Sequence, residues 1–472
     1  MTRSRKSPPQ HRTSPLLPND CRQPSRRSAG RTTADTPSSV DRRGFLQRST
    51  ALGITAFAWL GTERRGFAQP PRSKNDRHQF GLIGAGGQGS YDAKRAKPFA
   101  DIVAIADVDS QHAERAKQGV GDQRTALYGD YRRLLDRDDI EAVIIGTPDH
   151  WHTKICLDAL RAGKDVYCEK PLTLTIDEGK LLCREVKRTG RVFQVGTQQR
   201  SEPPHLFLTA VAMCWDGRLG KIHRVQAAIG GGPTGGPFPK AQPPAHLDWD
   251  RWLGPAPLVD YIPQRCHGSF RWWYEYSGGK MTDWGAHHVD IAHWVLDATD
   301  TGPVRIGGTA THPVPLEHGM PTRDDSFNTA TEFLVNCEFA DGTKLVIRHD
   351  TDNGVLIEGE KGRIFVNRGR LTGAPVDALK DHPLPEGLIE QVYKGKKPGY
   401  HMRNFVECMR DRTDPISDVY SHHRAITTCH LANIAIRLGR TLKWDPKSEQ
   451  IIGDDEANRW LSRKSRQGYE VS

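Results

Sequence analysis

The chain lacks the short spacings by which cysteine and histidine usually hold a metal. It has nine cysteines in 472 residues, but no C-x-x-C pair, no zinc-type spacing and no H-E-x-x-H motif. Structural zinc sites depend on such spacings because neighbouring donors must reach one ion. We therefore expect scattered buried thiols, no obligatory disulfide and no metal.

The chain also lacks a long apolar run and an internal repeat. The mildly apolar stretch from Ala51 to Leu60 is about half the length of roughly 20 residues that a membrane-spanning helix needs. We expect no stable membrane span.

Beyond the N-terminal region there is almost no net charge. Residues 1–68 contain 13 Lys/Arg against 4 Asp/Glu, which leaves 54 against 53 in the rest of a chain whose formal charge is +10. A nucleic-acid-binding domain would show a basic surface in its folded part. The charge distribution therefore argues against a nucleic-acid partner.

Residues 1–68 have the pattern of a leader. Arg42 and Arg43 precede the apolar stretch, and Gly66–Ala68 offers the small residues that signal peptidases prefer. We interpret the region as a basic disordered leader with a twin-arginine signal, read by the twin-arginine export machinery. The protein is then expected in the periplasm, with the leader either cleaved or kept.

A glycine-rich loop carries the strongest functional signal. A short apolar run ends in Gly84-x-Gly86-x-x-Gly89, with Gly87 and Gln88 between the last two glycines. Such glycines allow a tight turn, a close approach of backbone to a pyrophosphate, and close packing of helix on strand. The pattern predicts a dinucleotide site.

The end of the next apolar run supports this interpretation. Asp107 stands roughly 20 residues beyond the glycines, where a carboxylate can accept a hydrogen bond from a ribose 2′-OH. Asp107 and Asp109 favour NAD over NADP, while Ser110 and Arg115 keep NADP possible.

The order of predicted elements defines the domains. Strands and helices alternate over 76–200, which predicts an α/β Rossmann domain with a parallel, doubly wound sheet. Strand patterns dominate 201–445, which predicts an α+β domain with a largely antiparallel open sheet for substrate binding and oligomerisation. Helices near its end are expected to pack back on the first domain, and 446–472 is assigned as a tail.

Two predicted strands end in residues suited to a ligand, at the edge where open α/β sheets bind one. Glu169 and Lys170 follow one strand. A lysine beside a positively charged nicotinamide would have its ammonium form disfavoured and could exchange a proton with a hydroxyl. The other strand is followed by residues expected to line the cofactor: Thr147, Pro148, His150 and His152.

A second polar group follows in the other domain. Asp283 and His287 would share one helix face at a spacing that suits a base and its orienting carboxylate. Three histidines and two aspartates fall between 283 and 293, so a metal site is the alternative, which we do not favour. His293, and plausibly His288, are interpreted as structural.

Together these motifs resemble the Gfo/Idh/MocA oxidoreductase family over roughly 79–442. The resemblance implies a Rossmann domain followed by an α+β domain whose open sheet often forms an oligomer contact, and Lys170 and His287 as the acid/base pair beside Asp283. It also implies NAD and a homodimer or homotetramer. Substrate contacts are expected from Lys170, Arg271, Trp272, Asp283, Trp284 and His287.

The leading hypothesis is hydride transfer between tightly bound NAD(P) and a hydroxyl of a sugar, polyol or glycoside. The alternative is transient oxidation that assists glycoside cleavage, elimination or epimerisation. A non-catalytic sugar or nucleotide sensor is a third hypothesis, which the presence of both Lys170 and His287 disfavours.

Overall fold

The alternating apolar runs form a parallel sheet in the computed structural model, which describes residues 77–472. The predicted leader and export signal lie outside the described residues. The strands are β1 (His78–Ile83), β2 (Ala100–Ala106), β3 (Ala126–Tyr128), β4 (Ala142–Ile145), β5 (Asp165–Cys168) and β6 (Phe193–Val195). The helices between them are α1 (Gly87–Ala96), α2 (Ser110–Val120), α3 (Tyr131–Leu135), α4 (Asp149–Arg161) and α5 (Ile176–Thr189).

The strand order β3-β2-β1-β4-β5-β6 is that of a doubly wound Rossmann sheet, as predicted. β4 and β5 are buried along their whole length because helices cover both faces of the sheet. The sequence prediction lacks β3, which has only three half-buried residues, too few to show a periodicity.

The second domain begins with the apolar helix α6. Its elements are α6 (Leu206–Trp215), β7 (Ile222–Ala228), α7 (Trp249–Leu253), α8 (Lys280–Asp283), α9 (Gly285–Val295), β8 (Arg305–Thr311), β9 (Leu316–Glu317), β10 (Met320–Pro321), β11 (Glu332–Glu338), β12 (Lys344–Arg348), β13 (Gly354–Gly359), β14 (Gly362–Val366), β15 (Leu371–Thr372), α10 (Ala374–Asp377), α11 (Leu388–Val392), α12 (His401–Asp411), α13 (Val419–Leu438), β16 (Leu442–Asp445), β17 (Gln450–Ile451) and α14 (Asp455–Asn458). Short 3₁₀ turns lie at Gln198–Arg200, Pro263–Arg265, His267–Trp272, Ala378–Lys380 and Arg459–Leu461.

Nine of these strands form one sheet in the order β15-β14-β13-β7-β12-β11-β8-β16-β17, while β9 and β10 form a separate two-stranded sheet. β7 pairs with β12 in parallel, and the other neighbouring strands pair antiparallel. β11 alternates buried and exposed residues, so one face packs on helices and the other is open. The predicted fold class, a Rossmann domain followed by a largely antiparallel open sheet, is confirmed.

Two helices late in the chain return to the Rossmann domain. Phe405 of α12 packs edge-on against Phe80 and Tyr167, with ring centroids 6.1 and 5.9 Å away, and so helps to cover one face of the first sheet. α13 contacts α5 of the first domain as well as α9 and β8 of the second. Asp418 caps α13 by accepting hydrogen bonds from the backbone N–H groups of Tyr420 and Ser421.

The segment assigned as a tail contacts other parts of the chain. Tyr469 packs edge-on against Trp151 of α4, with ring centroids 5.6 Å apart. Arg466 donates to Asp250 on α7 at 2.6 Å. The end of the chain therefore lies along the junction of the two domains.

A buried ion pair also joins the two domains. Arg200, just after the Rossmann domain, donates two hydrogen bonds of 2.7 Å to the carboxylate of Asp290 on α9. Both side chains are at most 2% exposed. Although burial opposes ionisation of Asp290, the charge of Arg200 lowers its pKa below the usual value. The pair fixes α9 against the end of the first domain.

In the part of the chain that the structure describes, no helix is both long and apolar enough to span a bilayer. The eight cysteines within 77–472 are free thiols, and all except Cys183 are buried. Cys21 lies outside the described residues.

We predict that Asp290→Asn lowers the free energy of unfolding by about 3–5 kcal/mol, because it leaves the buried charge of Arg200 unpaired. Urea unfolding followed by circular dichroism measures the change. The matched control is Glu358→Gln, which breaks a more exposed pair with Arg224 and should cost about 1 kcal/mol or less. Equal losses in the two variants would contradict a role for the buried pair.

Candidate active site

The glycine-rich loop lies where β1 ends and α1 begins. Gly84 has a φ of 80°, and a Cβ there would lie 2.6 Å from the backbone nitrogen of Thr147. A Cβ on Gly89 would collide with the carbonyl oxygen of Gly84. Gly86 caps α1 without a side-chain hydrogen bond, so the first N–H groups of the helix are available to an anion. The loop fits a pyrophosphate.

Asp107 lies at the end of β2 and faces this loop. Its carboxylate accepts hydrogen bonds from the backbone N–H groups of Ala85 at 2.6 Å and Asp109 at 2.8 Å. Burial raises the pKa of Asp107 to about 6, and the two backbone hydrogen bonds oppose this rise. The carboxylate therefore contacts the glycine-rich loop, and its raised pKa makes it protonate at a mildly acidic pH.

A cavity of about 400 Å³ extends from this loop along the carboxyl edge of the Rossmann sheet. It contains most of the predicted cofactor residues: Gly84, Gly86, Gly87, Gln88, Asp107, Thr147, Pro148, Glu169 and Lys170. Other lining residues were not predicted, because they come from helices, from the second domain and from the chain end: His112, Arg132, Trp151, His267, Phe270 and Tyr469.

Three predicted cofactor residues do not line the cavity and lie behind the residues that do. Gly89 packs under the loop. The Nε2 of His150 is 3.0 Å from the carbonyl oxygen of Trp252. The ring nitrogens of His152 lie 2.7 Å from the carbonyl oxygen of Pro171 and 2.9 Å from that of Thr147. Both histidines brace the loops that line the cavity.

Lys170 lines this cavity and meets Asp283, although the two residues belong to different domains. The Nζ of Lys170 donates to the Oδ1 of Asp283 at 2.6 Å and to its carbonyl oxygen at 3.0 Å. Arg271 donates to the same Oδ1 at 3.1 Å through Nε. Burial opposes ionisation of Asp283, but the charges of Lys170 and Arg271 lower its pKa below the usual range. Asp283 is therefore a carboxylate that orients two cations.

His287 follows on the next helix, since α8 ends at Asp283 and α9 begins at Gly285. Its side chain is buried, and its Nδ1 has no hydrogen-bond partner within the described residues. Burial, reinforced by the charge of Lys170, lowers the pKa of His287 well below the usual value. The imidazole is therefore neutral at pH 7 and can accept a proton.

The neighbouring histidines of α9 are held by other contacts. His288 Nδ1 lies 2.8 Å from the carbonyl oxygen of Ala228. His293 contacts the carbonyl oxygen of Ala298 at 3.0 Å and the hydroxyl of Thr428 at 2.9 Å. These contacts agree with the structural interpretation of both residues.

Aromatic and cationic side chains surround the Lys170–Asp283 pair. Two cations lie near the ring of Trp284: the guanidinium of Arg368 is 4.7 Å from its centroid and the Nζ of Lys280 is 5.7 Å away. The same Nζ lies 5.8 Å from the ring of Trp272. Sequence reasoning missed Arg368, which lies between β14 and β15, because no linear motif connects that turn with the catalytic residues.

Glu169 forms a buried carboxyl pair with Asp92. Gln198 donates to Glu169 at 2.6 Å, and Gln88 donates to both Glu169 and Asp92 at 3.2–3.3 Å. Burial raises the pKa of Asp92 and of Glu169. The arrangement holds Gln88 and Glu169 in the wall of the cavity.

The fold and the site define a dinucleotide-dependent oxidoreductase. Residues 78–197 match the family model "Oxidoreductase family, NAD-binding Rossmann fold", and residues 236–471 match "Oxidoreductase family, C-terminal alpha/beta domain". The chain belongs to the Gfo/Idh/MocA oxidoreductase family, and its cofactor is NAD. The expected family, enzyme class and cofactor are thereby confirmed.

Named relatives agree with this assignment. The scyllo-inositol 2-dehydrogenase (NAD(+)) of Bacillus subtilis is 26% identical over 348 residues, covering 71% of this chain and 87% of the relative. Glycosyl hydrolase family 109 protein 2 of Shewanella sp. (strain ANA-3) is 34% identical over 162 residues, covering 30% of this chain and 36% of the relative.

Solved structures show the same fold. The WlbA dehydrogenase of Bordetella pertussis, in complex with NADH and UDP-GlcNAcA, has a TM-score of 0.55 and 17% identity, covering 78% of this chain and 99% of that one. The aldose-aldose oxidoreductase of Caulobacter crescentus, complexed with glycerol, has a TM-score of 0.55 and 16% identity, covering 78% and 100%.

We predict that NAD binding weakens as the pH falls through about 6, because protonation removes the charge with which Asp107 accepts a ribose hydroxyl. The limiting slope for one proton is about a tenfold rise in Kd per pH unit. Titrations of tryptophan fluorescence with NAD between pH 5 and 8 measure this dependence.

Two variants identify the titrating group. Asp107→Asn should bind NAD more weakly and lose the dependence. Asp101→Asn, an exposed change in the same strand, should keep both the affinity and the dependence. An Asp107→Asn protein with the unchanged pH profile would show that another group is responsible.

Proposed function

We propose that the enzyme oxidises a carbon-bound hydroxyl of a sugar, a polyol or a glycoside. The observation that carries the proposal is the ion pair between Lys170, which lines the dinucleotide cavity, and Asp283. His287 lies close enough for both charges to act on its imidazole. A hydroxyl placed there has a cation and a neutral imidazole within the same site. When bound, NAD supplies the acceptor for the hydride that leaves the carbon.

The protein residues handle the proton. Asp283 fixes the Nζ of Lys170 through two hydrogen bonds, to its side chain and to its carbonyl group, so the ammonium has a defined direction. His287 is neutral, so its imidazole suits the role of base for the hydroxyl proton. In the reverse direction the same pair returns the proton to the carbonyl oxygen.

The surrounding side chains suit a polyhydroxylated ring. Trp272 and Trp284 offer aromatic faces to C–H edges, while Arg271 and Arg368 offer N–H donors to hydroxyl oxygens. Inositol dehydrogenase relatives support this substrate class.

Transient oxidation for glycoside cleavage is the second candidate. The relative named glycosyl hydrolase family 109 protein 2 favours it, since the shared 162 residues are 34% identical. In this reaction NAD is regenerated in each cycle, so product accumulates without net formation of NADH.

We predict that Lys170→Met and His287→Asn each lower kcat at least about 10²-fold, because each removes a group that moves the hydroxyl proton. Both variants should keep NAD affinity within a few fold. Initial rates on inositols, free sugars and aryl glycosides, followed by NADH absorbance and by product chromatography, separate net oxidation from cleavage.

Matched controls change the same residue types on exposed surfaces, as Lys187→Met and His223→Asn do, and should keep full activity. A Lys170→Met and His287→Asn double variant that turns over at the wild-type rate would overturn the assignment of these roles.

We further propose that the chain is exported folded by the twin-arginine route and works in the periplasm as a homodimer or homotetramer. Arg42 and Arg43 before the short apolar stretch support export. The open face of the nine-stranded sheet supports association, since Leu334 is 42% exposed there. For export, cell fractionation should show that the Arg42→Lys, Arg43→Lys double variant stays in the cytoplasm. For association, light scattering should give a mass of two or four subunits. A periplasmic double variant or a monomer would contradict the respective proposal.

A further inference from the structure

Outside the catalytic group, three histidines converge on one aspartate. Asp109 and His112 begin α2, His246 lies in the loop before α7, and His267 begins the 3₁₀ turn that leads to Arg271. His112 and His267 line the dinucleotide cavity on the side of Asp107. The cluster joins segments that are up to 158 positions apart in the chain.

Asp109 is the fixed member of this cluster. Its residue is 2% exposed, and its Oδ1 accepts hydrogen bonds from the backbone N–H groups of Gln111 at 2.9 Å and His112 at 3.3 Å. These bonds hold the carboxylate in one orientation and leave its Oδ2 directed towards His267. A preoriented carboxylate is a suitable anchor for a metal.

The imidazoles stand at ligand distances from this carboxylate. His267 Nε2 lies 3.3 Å from Oδ2 of Asp109, and His246 Nδ1 lies 3.1 Å from Oδ1. One donor atom each from Asp109, His112 and His267 lie within 4.8 Å of one another. Tetrahedral zinc with bonds of about 2.0–2.2 Å places neighbouring donors roughly 3.3–3.5 Å apart. The three donor atoms, which lie within 4.8 Å of one another, must therefore approach by up to about 1.5 Å to reach this geometry.

The backbone and the exposure of His267 agree with a ligand role. His267 has a φ of 50°, a left-handed conformation that turns its side chain back towards α2 at a conformational cost. Its side chain is 42% exposed and that of His246 is 31% exposed, so an ion can enter from solvent.

We propose that Asp109, His112 and His267 bind a divalent transition-metal ion of the zinc type, with a solvent molecule as the fourth ligand. Imidazole nitrogens with one carboxylate select zinc-like ions over Mg²⁺ and Ca²⁺, which prefer oxygen ligands alone. The ion ties the His267 turn to α2 in the wall of the dinucleotide cavity. The proposal does not depend on the substrate or the reaction.

The test uses the full chain without an affinity tag, stripped with a chelator and then titrated with Zn²⁺ and with Co²⁺. Elemental analysis should give one Zn²⁺ per chain after dialysis, and Co²⁺ should give the intense visible absorption of a tetrahedral site. His267→Ala and His112→Ala should each weaken binding at least about tenfold. His382→Ala, an exposed histidine far from this cluster in the sequence, should bind as the wild type does.

Circular dichroism establishes that each variant is folded. Binding of less than one ion per two wild-type chains, or equal binding by wild type and a folded His112→Ala, His267→Ala double variant, would overturn the proposal. A third outcome would also overturn the proposal: the wild-type protein binds no metal, and the double variant binds NAD more weakly. This outcome would show that the histidines contact the dinucleotide directly.

Discussion

The buried pairing of Arg200 with Asp290 is the constraint on which the site depends. It ties the end of the Rossmann domain to α9, the helix that carries His287 one turn before Asp290. A charge pair that is at most 2% exposed tolerates little displacement, because either ion without its partner would pay the full cost of desolvation. The relative position of the two domains at the catalytic residues is therefore closely defined.

That position brings Lys170 within 2.6 Å of Asp283. The two residues come from different domains: Lys170 stands at a strand end of the first, and Asp283 ends a one-turn helix of the second. Each orients the other, and Arg271 completes the arrangement. The local charges also give Asp283 and His287 different protonation states. Lys170 and Arg271 hold Asp283 ionised, while burial and the charge of Lys170 keep His287 neutral. A charged donor and a neutral acceptor thus coexist at neutral pH.

The glycine-rich end of the cavity is built from features that are local in the sequence. Gly84 and Gly89 have no room for a Cβ, and a carboxylate faces the loop at the end of the next strand. These features are local in sequence, because a strand, a turn and a helix of fixed geometry place them. Sequence reasoning could therefore bring them together, and it correctly predicted the alternation of strands and helices that leads to the Rossmann sheet. Strand β3, with three residues, was too short to predict.

Motif spacing also pointed to Lys170, Asp283 and His287 as the reactive residues, together with the α+β class of the second domain. The sequence by itself thus determined the pyrophosphate loop and the types of residue available for chemistry, since both depend on neighbours within one supersecondary unit. Only the tertiary structure decided that Tyr469 lines the cavity and that Arg368 lies on the ring of Trp284. It also decided that His150 and His152 lie behind the cavity wall and that His112 meets His267. Those contacts join residues far apart in the chain, and their distances depend on how helices and loops pack, which no local pattern encodes.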